Sequence, residues 1–240
     1  MRYLAPNPCS AVISADDSAG AFGRLCRAIN HEYSGRIALV SSFGAEAIVL
    51  LHMVARIDPA LPVLLNETGM LFAETLDYQR EVAATLGLSN VQLIGPTGDD
   101  LARGDPDGAL HRTNADACCH LRKVVPLQRA LKPYSAWITG RKRFQSDTRV
   151  AIPFVEPDGE ARVKLNPLAD WLPEDIVRYM ARHELPRHPL VARGYRSIGC
   201  APCTSPVREG EDARAGRWRG QAKSECGIHF ANGKAVRGAA

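Results

Sequence analysis

The sequence predicts an α/β protein in which a mostly parallel, twisted sheet carries helices on both faces. Two observations favour this class. Short aliphatic segments alternate along the chain with segments of helical periodicity, and the helical segments are long enough to cross over between parallel strands. The composition agrees, because 45% hydrophobic and 23% charged residues in a chain of 240 are typical of globular proteins.

The first part of the predicted sheet contains three strands and two helices. Each strand is a short aliphatic run, and each helix has apolar residues at helical spacing. In chain order the elements are a strand at 36–40, a helix at 45–56, a strand at 61–65, a helix at 71–86 and a strand at 90–94. This order predicts parallel strands joined by helical crossovers.

The middle of the chain continues the pattern and adds a hairpin. The predicted elements are a helix at 119–131, a strand at 136–139, hairpin strands at 150–155 and 161–165, and a helix at 173–183. Pro173 suits the first turn of that last helix, where its missing N–H costs nothing. Periodicity is lost after residue 185, so we predict one α/β domain over 1–199 and a dependent C-terminal segment over 200–240.

The charge and the hydropathy exclude two classes of function. The chain has 30 Lys and Arg against 26 Asp and Glu, and the resulting charge of +4 is too small for a general nucleic-acid binder. The most apolar run, at 45–54, is too short for a membrane span and contains Glu46 and His52. We therefore expect no nucleic acid and no membrane as partners, and a small anion as the ligand.

The seven cysteines bear on the cellular compartment. An odd number of cysteines and an N-terminal sequence without an apolar signal core argue against a secreted disulfide framework. We therefore expect a cytoplasmic protein whose thiols are reduced or bound to metal. Cys9 and Cys26 have no chemically suggestive neighbours, and both are interpreted as structural.

A polar loop follows the first predicted strand. Hydroxyl groups and a glycine at the carboxyl end of a parallel strand, just before a helix, are typical of a phosphate site. An ordinary strand-to-helix turn would look the same, and the Walker and GxGxxG patterns are absent from the chain. The candidate substrate-binding residues of this loop are Ser41, Ser42, Phe43 and Gly44.

A basic loop follows the strand at 136–139. It places four cations in the nine residues after Gly140, and the planar fork of arginine can grip a phosphate or sulfate at two points. A solvated loop is the alternative, although it would rarely coincide with a predicted ligand edge. The candidate substrate-binding residues here are Arg141, Lys142, Arg143, Gln145, Ser146 and Arg149.

Two cysteine pairs, Cys118-Cys119 and Cys200-Ala-Pro-Cys203, supply four thiols. Four thiolates suffice for a structural zinc or an iron–sulfur cluster, and a Cys-x-x-Cys pair can also be a redox motif. Neighbouring side chains on a helix diverge by about 100°, which is awkward for one zinc ion but suits two irons of one cluster. The geometry favours the cluster, and the redox motif is disfavoured because Pro206 interrupts any following helix.

Cys226 stands apart from these pairs. Arg214, Arg217 and Arg219 precede it and His229 follows it. Nearby cations lower the pKa of a thiol and favour its nucleophilic thiolate form. We interpret Cys226 as a candidate catalytic nucleophile, with His229 as a hydrogen-bond donor or local positive charge. A spare cysteine in a tail is the simpler alternative.

Taken together, these motifs resemble those of the assimilatory sulfonucleotide reductases, specifically the cluster-containing adenylylsulfate reductases. The resemblance covers most of the chain, from about Ser41 to His229. The matching segments are SSFGAEA from Ser41, ETGMLFAET from Glu67, Cys118-Cys119 followed by Arg122-Lys123, TGRKRFQSDTR from Thr139, NPLADW from Asn166, GYRSIGCAPCT from Gly194, RAGRW from Arg214 and ECGIH from Glu225.

The resemblance implies a fold and an activity. The fold would be adenine nucleotide alpha-hydrolase-like and related to the ATP pyrophosphatases, with a mobile C-terminal segment. The activity would be reduction of adenosine 5′-phosphosulfate (APS) to sulfite and AMP in sulfate assimilation. Thioredoxin, or a glutaredoxin-like thiol donor, would supply the electrons, and we expect a homo-oligomer.

The resemblance also implies roles for individual residues. Cys226 matches the nucleophile that becomes an S-sulfocysteine. The residues that match the phosphosulfate site are Lys123, Arg214, Arg217 and His229. The residues that match the ligands of one 4Fe-4S cluster are Cys118, Cys119, Cys200 and Cys203.

Three other functions remain open to the sequence. A reductase of phosphoadenylylsulfate (PAPS) would share everything except the pocket for the extra 3′-phosphate. A cluster-containing tRNA sulfurtransferase would bind ATP, but Phe43, Glu46 and Ala47 depart from the pyrophosphatase SGGxDS loop. A zinc-stabilised nucleic-acid-binding module would explain the cysteine pairs and the basic C-terminal segment without catalysis.

Overall fold

A six-stranded sheet forms the centre of the computed structural model, which describes Cys9 and residues 20–221, 223, 225, 227–228, 230–231 and 234–235. Its strands are β1 (Ile37–Val40), β2 (Val63–Asn66), β3 (Val91–Ile94), β4 (Ala136–Ile138), β5 (Val155–Asp158) and β6 (Arg162–Leu165). The strand order is β3-β2-β1-β4-β6-β5. All neighbouring strands are parallel except β5, which runs antiparallel to β6 at one edge.

Helices cover both faces of the sheet. They are α1 (Ala21–Arg27), α2 (Ala47–Ile57), α3 (Ala73–Leu86), α4 (Gly98–Gly104), α5 (Leu110–Thr113), α6 (Ala115–Cys119), α7 (Val125–Ala130) and α8 (Pro173–Arg182). Stretches of π-helix extend α1 over Ala28–Glu32 and join α6 to α7 over His120–Val124. A two-stranded ribbon pairs β7 (Phe230–Ala231) with β8 (Lys234–Ala235).

Strand β1 shows why the sheet needs helices on both sides. All four of its residues are buried, and alternate side chains belong to different apolar clusters. Ile37 and Leu39 pack in the larger cluster with residues of α2 and α3, whereas Ala38 and Val40 pack on the other face with residues of α7. A central parallel strand must therefore be apolar throughout, which confirms the prediction of a mostly parallel sheet with flanking helices.

The hairpin of β5 and β6 begins later than predicted. Residues 150–151 form a turn, and strand pairing starts where Val155 meets Leu165. The chain reverses at Gly159, whose φ of +75° lies in the left-handed region. Three 3-10 turns, at Arg143–Gln145, Asp147–Arg149 and Pro189–Arg193, complete this half of the structure.

Helix α4 was missed by the sequence analysis, although a signal was present. Thr97 Oγ1 accepts a hydrogen bond from the Asp100 N–H at 3.1 Å, and Asp100 Oδ2 accepts one from the Thr97 N–H at 2.8 Å. This reciprocal capping box is marked in the sequence by threonine followed three residues later by aspartate.

Cys9 and Cys26 correct one expectation about the thiols. The two residues form a disulfide with their Cα atoms 5.6 Å apart, a separation that a disulfide spans without backbone strain. The expectation that every thiol is reduced or bound to metal is therefore wrong for this pair. Among the described residues, every helix is too short or too polar to cross a lipid bilayer.

His188 gives the fold a testable pH dependence. The side chain is 1% exposed; its Nδ1 accepts a hydrogen bond from the Leu190 N–H and its Nε2 lies 3.1 Å from Thr75 Oγ1. Burial lowers the pKa of His188 to about 4, although Glu74 opposes the shift.

We expect His188 to stabilise the fold fully above pH 6.5 and to lose this contribution as the pH falls towards 4, because the unfolded chain then binds a proton that the folded state excludes. The free energy of unfolding should fall by about 2 kcal/mol between pH 7 and pH 5 through this residue. Urea unfolding at both pH values measures it. His188→Asn keeps an acceptor for the Leu190 N–H and should show a smaller loss between the two pH values; equal losses in both proteins would contradict the assignment.

Candidate active site

A cavity of about 280 Å³ opens at the carboxyl ends of β1, β2 and β4. This is the edge at which parallel sheets bind ligands. Most of the sequence-predicted binding residues line it. They are Ser41, Ser42, Gly44, Lys123, Arg141, Lys142, Gln145, Arg149, Arg214 and Arg217. Phe43, Arg143 and Ser146 are not among the residues that line it.

The loop after β1 is shaped by its own hydroxyl groups. Ser41 Oγ accepts a hydrogen bond from the Phe43 N–H at 3.2 Å, and Ser42 Oγ accepts one from the Gly44 N–H at 3.3 Å. Phe43 adopts a left-handed φ of +47° and is fully buried in the larger apolar cluster. Its side chain therefore anchors the loop, while both serines reach the cavity through hydroxyl hydrogens that can still donate.

Two buried cations of the basic loop are paired with acidic side chains. Arg141 forms an ion pair with Glu156, and Lys142 Nζ lies 2.8 Å from Glu46 Oε2. Burial lowers the pKa of Arg141 to about 10 and also lowers the pKa of Lys142, with Glu46 opposing that second shift. The two ion pairs therefore neutralise positive charge that was predicted to bind a ligand.

The other two cations of the basic loop, Arg143 and Arg149, point to different places. Arg143 Nε donates to the Ile152 carbonyl at 3.1 Å, and its guanidinium lies 5.3 Å from the centre of the Phe154 ring, so it points away from the cavity. Arg149 is buried and grips the carboxylate of Glu225 through two nitrogens, each 2.8 Å from an oxygen. Glu225 was not predicted as an interaction partner, although the ECGIH motif contains it.

Arg217 lines the cavity and, unlike Arg141, Lys142 and Arg149, has no carboxylate at ion-pair distance among the described residues. Its Nε is buried without a hydrogen-bond partner, and its guanidinium lies 4.5 Å from the Trp218 ring. Gly199 makes room for it, since a Cβ there would lie 2.3 Å from Arg217 Nη2. An arginine held in this way beside a cavity is suited to an anion supplied from outside the chain.

The two cysteine pairs lie on facing elements. Cys118 and Cys119 end α6 and are buried. Cys200 precedes the 3-10 turn Ala201–Cys203 and Cys203 ends it, and no disulfide joins any of the four. Cys200 Sγ lies 3.2 Å from Thr68 Oγ1. Burial raises the pKa of Cys118, and the charges of Cys200 and Cys203 raise it further, so the two pairs are electrostatic neighbours.

Arg122 connects the cysteine helix to the sheet. Its Nη2 donates to Asp105 Oδ2 at 2.6 Å and its Nη1 to the Thr68 carbonyl at 2.8 Å. The guanidinium therefore links α6 to the loop after β2 that also contacts Cys200. Among the described residues, no group of three or more Cys, His, Asp or Glu side chains forms a site for a single metal ion.

Cys226 and His229, the predicted catalytic residues, lie outside the described residues. Their neighbours in the chain are described and reach the cavity, since both Glu225 and Ile228 line it. Ile228 packs against the apolar cluster that contains Leu127 and Trp137. Glu225 and Ile228 therefore touch the same cavity as Arg217.

The chain is similar in sequence to known proteins. Residues 36–206 match the family model described as the phosphoadenosine phosphosulfate reductase domain. An adenosine 5′-phosphosulfate reductase of Mesorhizobium japonicum is 50% identical over 239 residues, with 94% of each chain covered. A phosphoadenosine 5′-phosphosulfate reductase of Gloeobacter violaceus is 43% identical over 201 residues, with 82% of this chain and 83% of that one covered.

A solved structure supports the same assignment. The phosphoadenylyl-sulfate reductase of Candida auris, crystallised as a phosphate complex, superposes with a TM-score of 0.66 at 25% identity and covers 85% of this chain and 98% of its own. The predicted adenine nucleotide alpha-hydrolase-like fold is confirmed. From the match to the family model and the identity to these relatives, we conclude that the chain belongs to the sulfonucleotide reductase family.

Proposed function

We propose that the protein reduces APS to sulfite and AMP in sulfate assimilation. The observation that carries the proposal is the convergence, in one cavity, of the hydroxyl loop after β1, of Arg217, which has no carboxylate partner among the described residues, and of Glu225 and Ile228 from the ECGIH motif. The names of the relatives from Mesorhizobium japonicum and from Chelativorans, which is 48% identical, support APS as the substrate.

The proposed chemistry needs one nucleophile and several cations. The Cys226 thiolate attacks the sulfur of APS; a sulfur–sulfur bond forms, the sulfur–oxygen bond to the phosphate breaks, and AMP leaves with that electron pair. A dithiol donor then attacks the Cys226 sulfur, and sulfite leaves with the electron pair of the sulfur–sulfur bond. The second thiol of the donor resolves the mixed disulfide, so the donor supplies both electrons. Thioredoxin, or a glutaredoxin-like thiol donor, has the required chemistry.

In this mechanism, the main task of the other site residues is to offset negative charge. An anionic thiolate and an anionic phosphosulfate repel each other, so cations must offset both charges at the reacting atoms. Arg217 is the described cation best placed for this role, and Lys123 and Arg214 also line the cavity. We assign His229 to the same task on the strength of its motif.

The four cysteines of the two pairs fit a 4Fe-4S cluster by their chemistry. Cys118, Cys119, Cys200 and Cys203 provide the Cys₄ donor set of such clusters, and no disulfide removes any of them. A cluster is larger than a single ion, so its ligands stand farther apart than those of a zinc site. When bound, it would supply structural cross-linking and local charge beside the cavity, and the four residues would hold it.

Several further features belong to the same proposal. Residues 1–199 would form the sulfonucleotide-binding domain, and residues 200–240 a mobile segment that brings Cys226 to the ligand and then to the donor. We also propose a cytoplasmic homo-oligomer that binds no nucleic acid. Size-exclusion chromatography with light scattering measures the oligomeric state.

A second substrate has a specific observation in its favour. The relative from Gloeobacter violaceus is named for phosphoadenosine 5′-phosphosulfate. Sulfite release with reduced thioredoxin, measured as kcat/KM for APS and for PAPS, separates the two. We expect APS to be preferred by about tenfold or more, because a 3′-phosphate that loses water and gains no matching contact costs over 1 kcal/mol. A preference for PAPS would reverse the assignment, and sulfite from neither would refute it.

Arg217→Gln tests the anion site directly. We expect the Kd for APS to rise about 30-fold, because a charge-assisted hydrogen bond contributes about 2 kcal/mol. Calorimetry in a Cys226→Ser background measures binding without reaction. Arg219→Gln is the matched control, since Arg219 pairs with Glu211 at 2.8 Å and does not line the cavity. Equal Kd values for the two variants would remove Arg217 from the site.

A further inference from the structure

The ion pair between Glu225 and Arg149 joins residues 76 positions apart in the chain. Arg149 Nε lies 2.8 Å from Glu225 Oε1, and Arg149 Nη2 lies 2.8 Å from Glu225 Oε2. Ser146 Oγ and Arg214 Nη2 add longer contacts of 3.4 Å each to the same carboxylate. The two paired side chains are only 10% and 15% exposed, so solvent screens this bidentate pair weakly.

The guanidinium of Arg149 is fully engaged within the chain. Its third nitrogen, Nη1, donates to Gln145 Oε1, so every nitrogen of the fork has an intramolecular acceptor. Burial alone would raise the pKa of Glu225, but the hydrogen bonds and charge of Arg149 lower it below its usual range. The carboxylate is therefore ionised at neutral pH and matches the fork in charge and shape.

Glu225 directly precedes Cys226 in the sequence. The described residues on either side are also attached: Lys223 forms an ion pair with Asp116 of α6, and Ile228 packs on the cluster with Leu127. Three described residues of this segment are therefore held by contacts with other parts of the chain, and two of them, Glu225 and Ile228, line the cavity.

We propose that Glu225 is a positioning residue of the reaction, and that the task of Arg149 is to grip Glu225 rather than the substrate. The inference rests on the proposed function. The pair would hold the chain at Cys226 within reach of the bound APS and so raise the effective concentration of the thiolate at the sulfur. Arg149 and Arg214 outnumber the one carboxylate, so the grip adds no net negative charge beside the anionic ligand.

Single-turnover kinetics with saturating APS and no reductant test the inference. Formation of S-sulfocysteine on Cys226 is followed by quenched-flow mass spectrometry, and binding of AMP by calorimetry. We expect Glu225→Gln to slow adduct formation by about 10- to 100-fold, the usual effect of misplacing a reacting group. The Kd for AMP should stay within about threefold of wild type, because the carboxylate contacts no ligand in this scheme. Glu225→Asp should recover part of the rate, and Glu209→Gln, an exposed glutamate of the same segment, is the matched control.

Arg149→Gln provides a second test of the inference in the same experiment. If Arg149 acts through Glu225, the single variants and the double variant should slow the adduct equally, since removing both partners removes one interaction. A wild-type rate in Glu225→Gln would overturn the inference. So would tighter AMP binding in Glu225→Gln, which marks the carboxylate as a competitor of the ligand, or a tenfold rise in the AMP Kd confined to Arg149→Gln. Absence of any adduct on the wild-type protein would instead refute the proposed function.

Discussion

Replacing Cys226 by serine is expected to lower the rate of sulfite formation from APS by about 10⁴-fold or more, the scale of losing a catalytic nucleophile. A serine hydroxyl is not ionised at neutral pH, whereas cations near Cys226 favour its thiolate. Serine also cannot form the sulfur–sulfur bond on which release of sulfite by a thiol donor depends. Steady-state assays with reduced thioredoxin measure the rate.

The binding step should survive this substitution, because sulfur and oxygen differ little in size and the cations of the cavity remain. The matched control is Cys9→Ser, which removes a cysteine that pairs with Cys26 and does not line the cavity. This control should keep wild-type turnover. Normal sulfite formation by the Cys226→Ser protein would exclude the covalent mechanism.

Cys200→Ser is expected to remove most of the iron and acid-labile sulfide from anaerobically purified protein and to lower turnover by about tenfold or more. Cys200 forms an isolated antiparallel β-bridge with Leu71, and the next residue, Ala201, donates its N–H to the Met70 carbonyl at 2.8 Å. Gly199, on the other side, lies against the guanidinium of Arg217. Loss of the proposed ligand at this position should therefore loosen Arg217 as well as the proposed cluster.

Metal analysis and visible absorption give the readout for Cys200→Ser. Cys26→Ser is the control, since Cys26 lies in α1 and is bonded to Cys9. We expect that control to keep the iron content and the brown colour of the wild type. Stoichiometric zinc without iron in the wild-type protein would contradict the cluster and restore the zinc alternative.

Local sequence patterns were sufficient for most of the sheet. The four parallel strands predicted at 36–40, 61–65, 90–94 and 136–139 occur within two residues of those bounds. Each is a short apolar run between polar turns. A strand that is buried on both faces needs apolar residues at nearly every position, so its sequence is easy to identify. The hairpin began late and α4 was missed, because their positions depend on turn geometry and capping rather than on periodicity.

The candidate site was predicted only in part. Arg217 and the loop from Ser41 were predicted to bind an anion, and both line the cavity. Arg141 and Lys142 were predicted for the same reason, yet each is paired with a carboxylate from a distant part of the chain. The sequence shows how many cations are available but not which of them an internal acid has already neutralised.

The sequence by itself determined the order of strands and helices, the set of chemical groups and the family, because these depend on residue type and on spacing along the chain. Only the tertiary structure decided which groups meet. It paired Arg149 with Glu225 and Cys9 with Cys26, and it left Arg217 without an acidic partner among the residues it describes. The reason is physical: the strength of an ion pair depends on distance and burial after folding, and neither is encoded by the separation of two residues in the sequence.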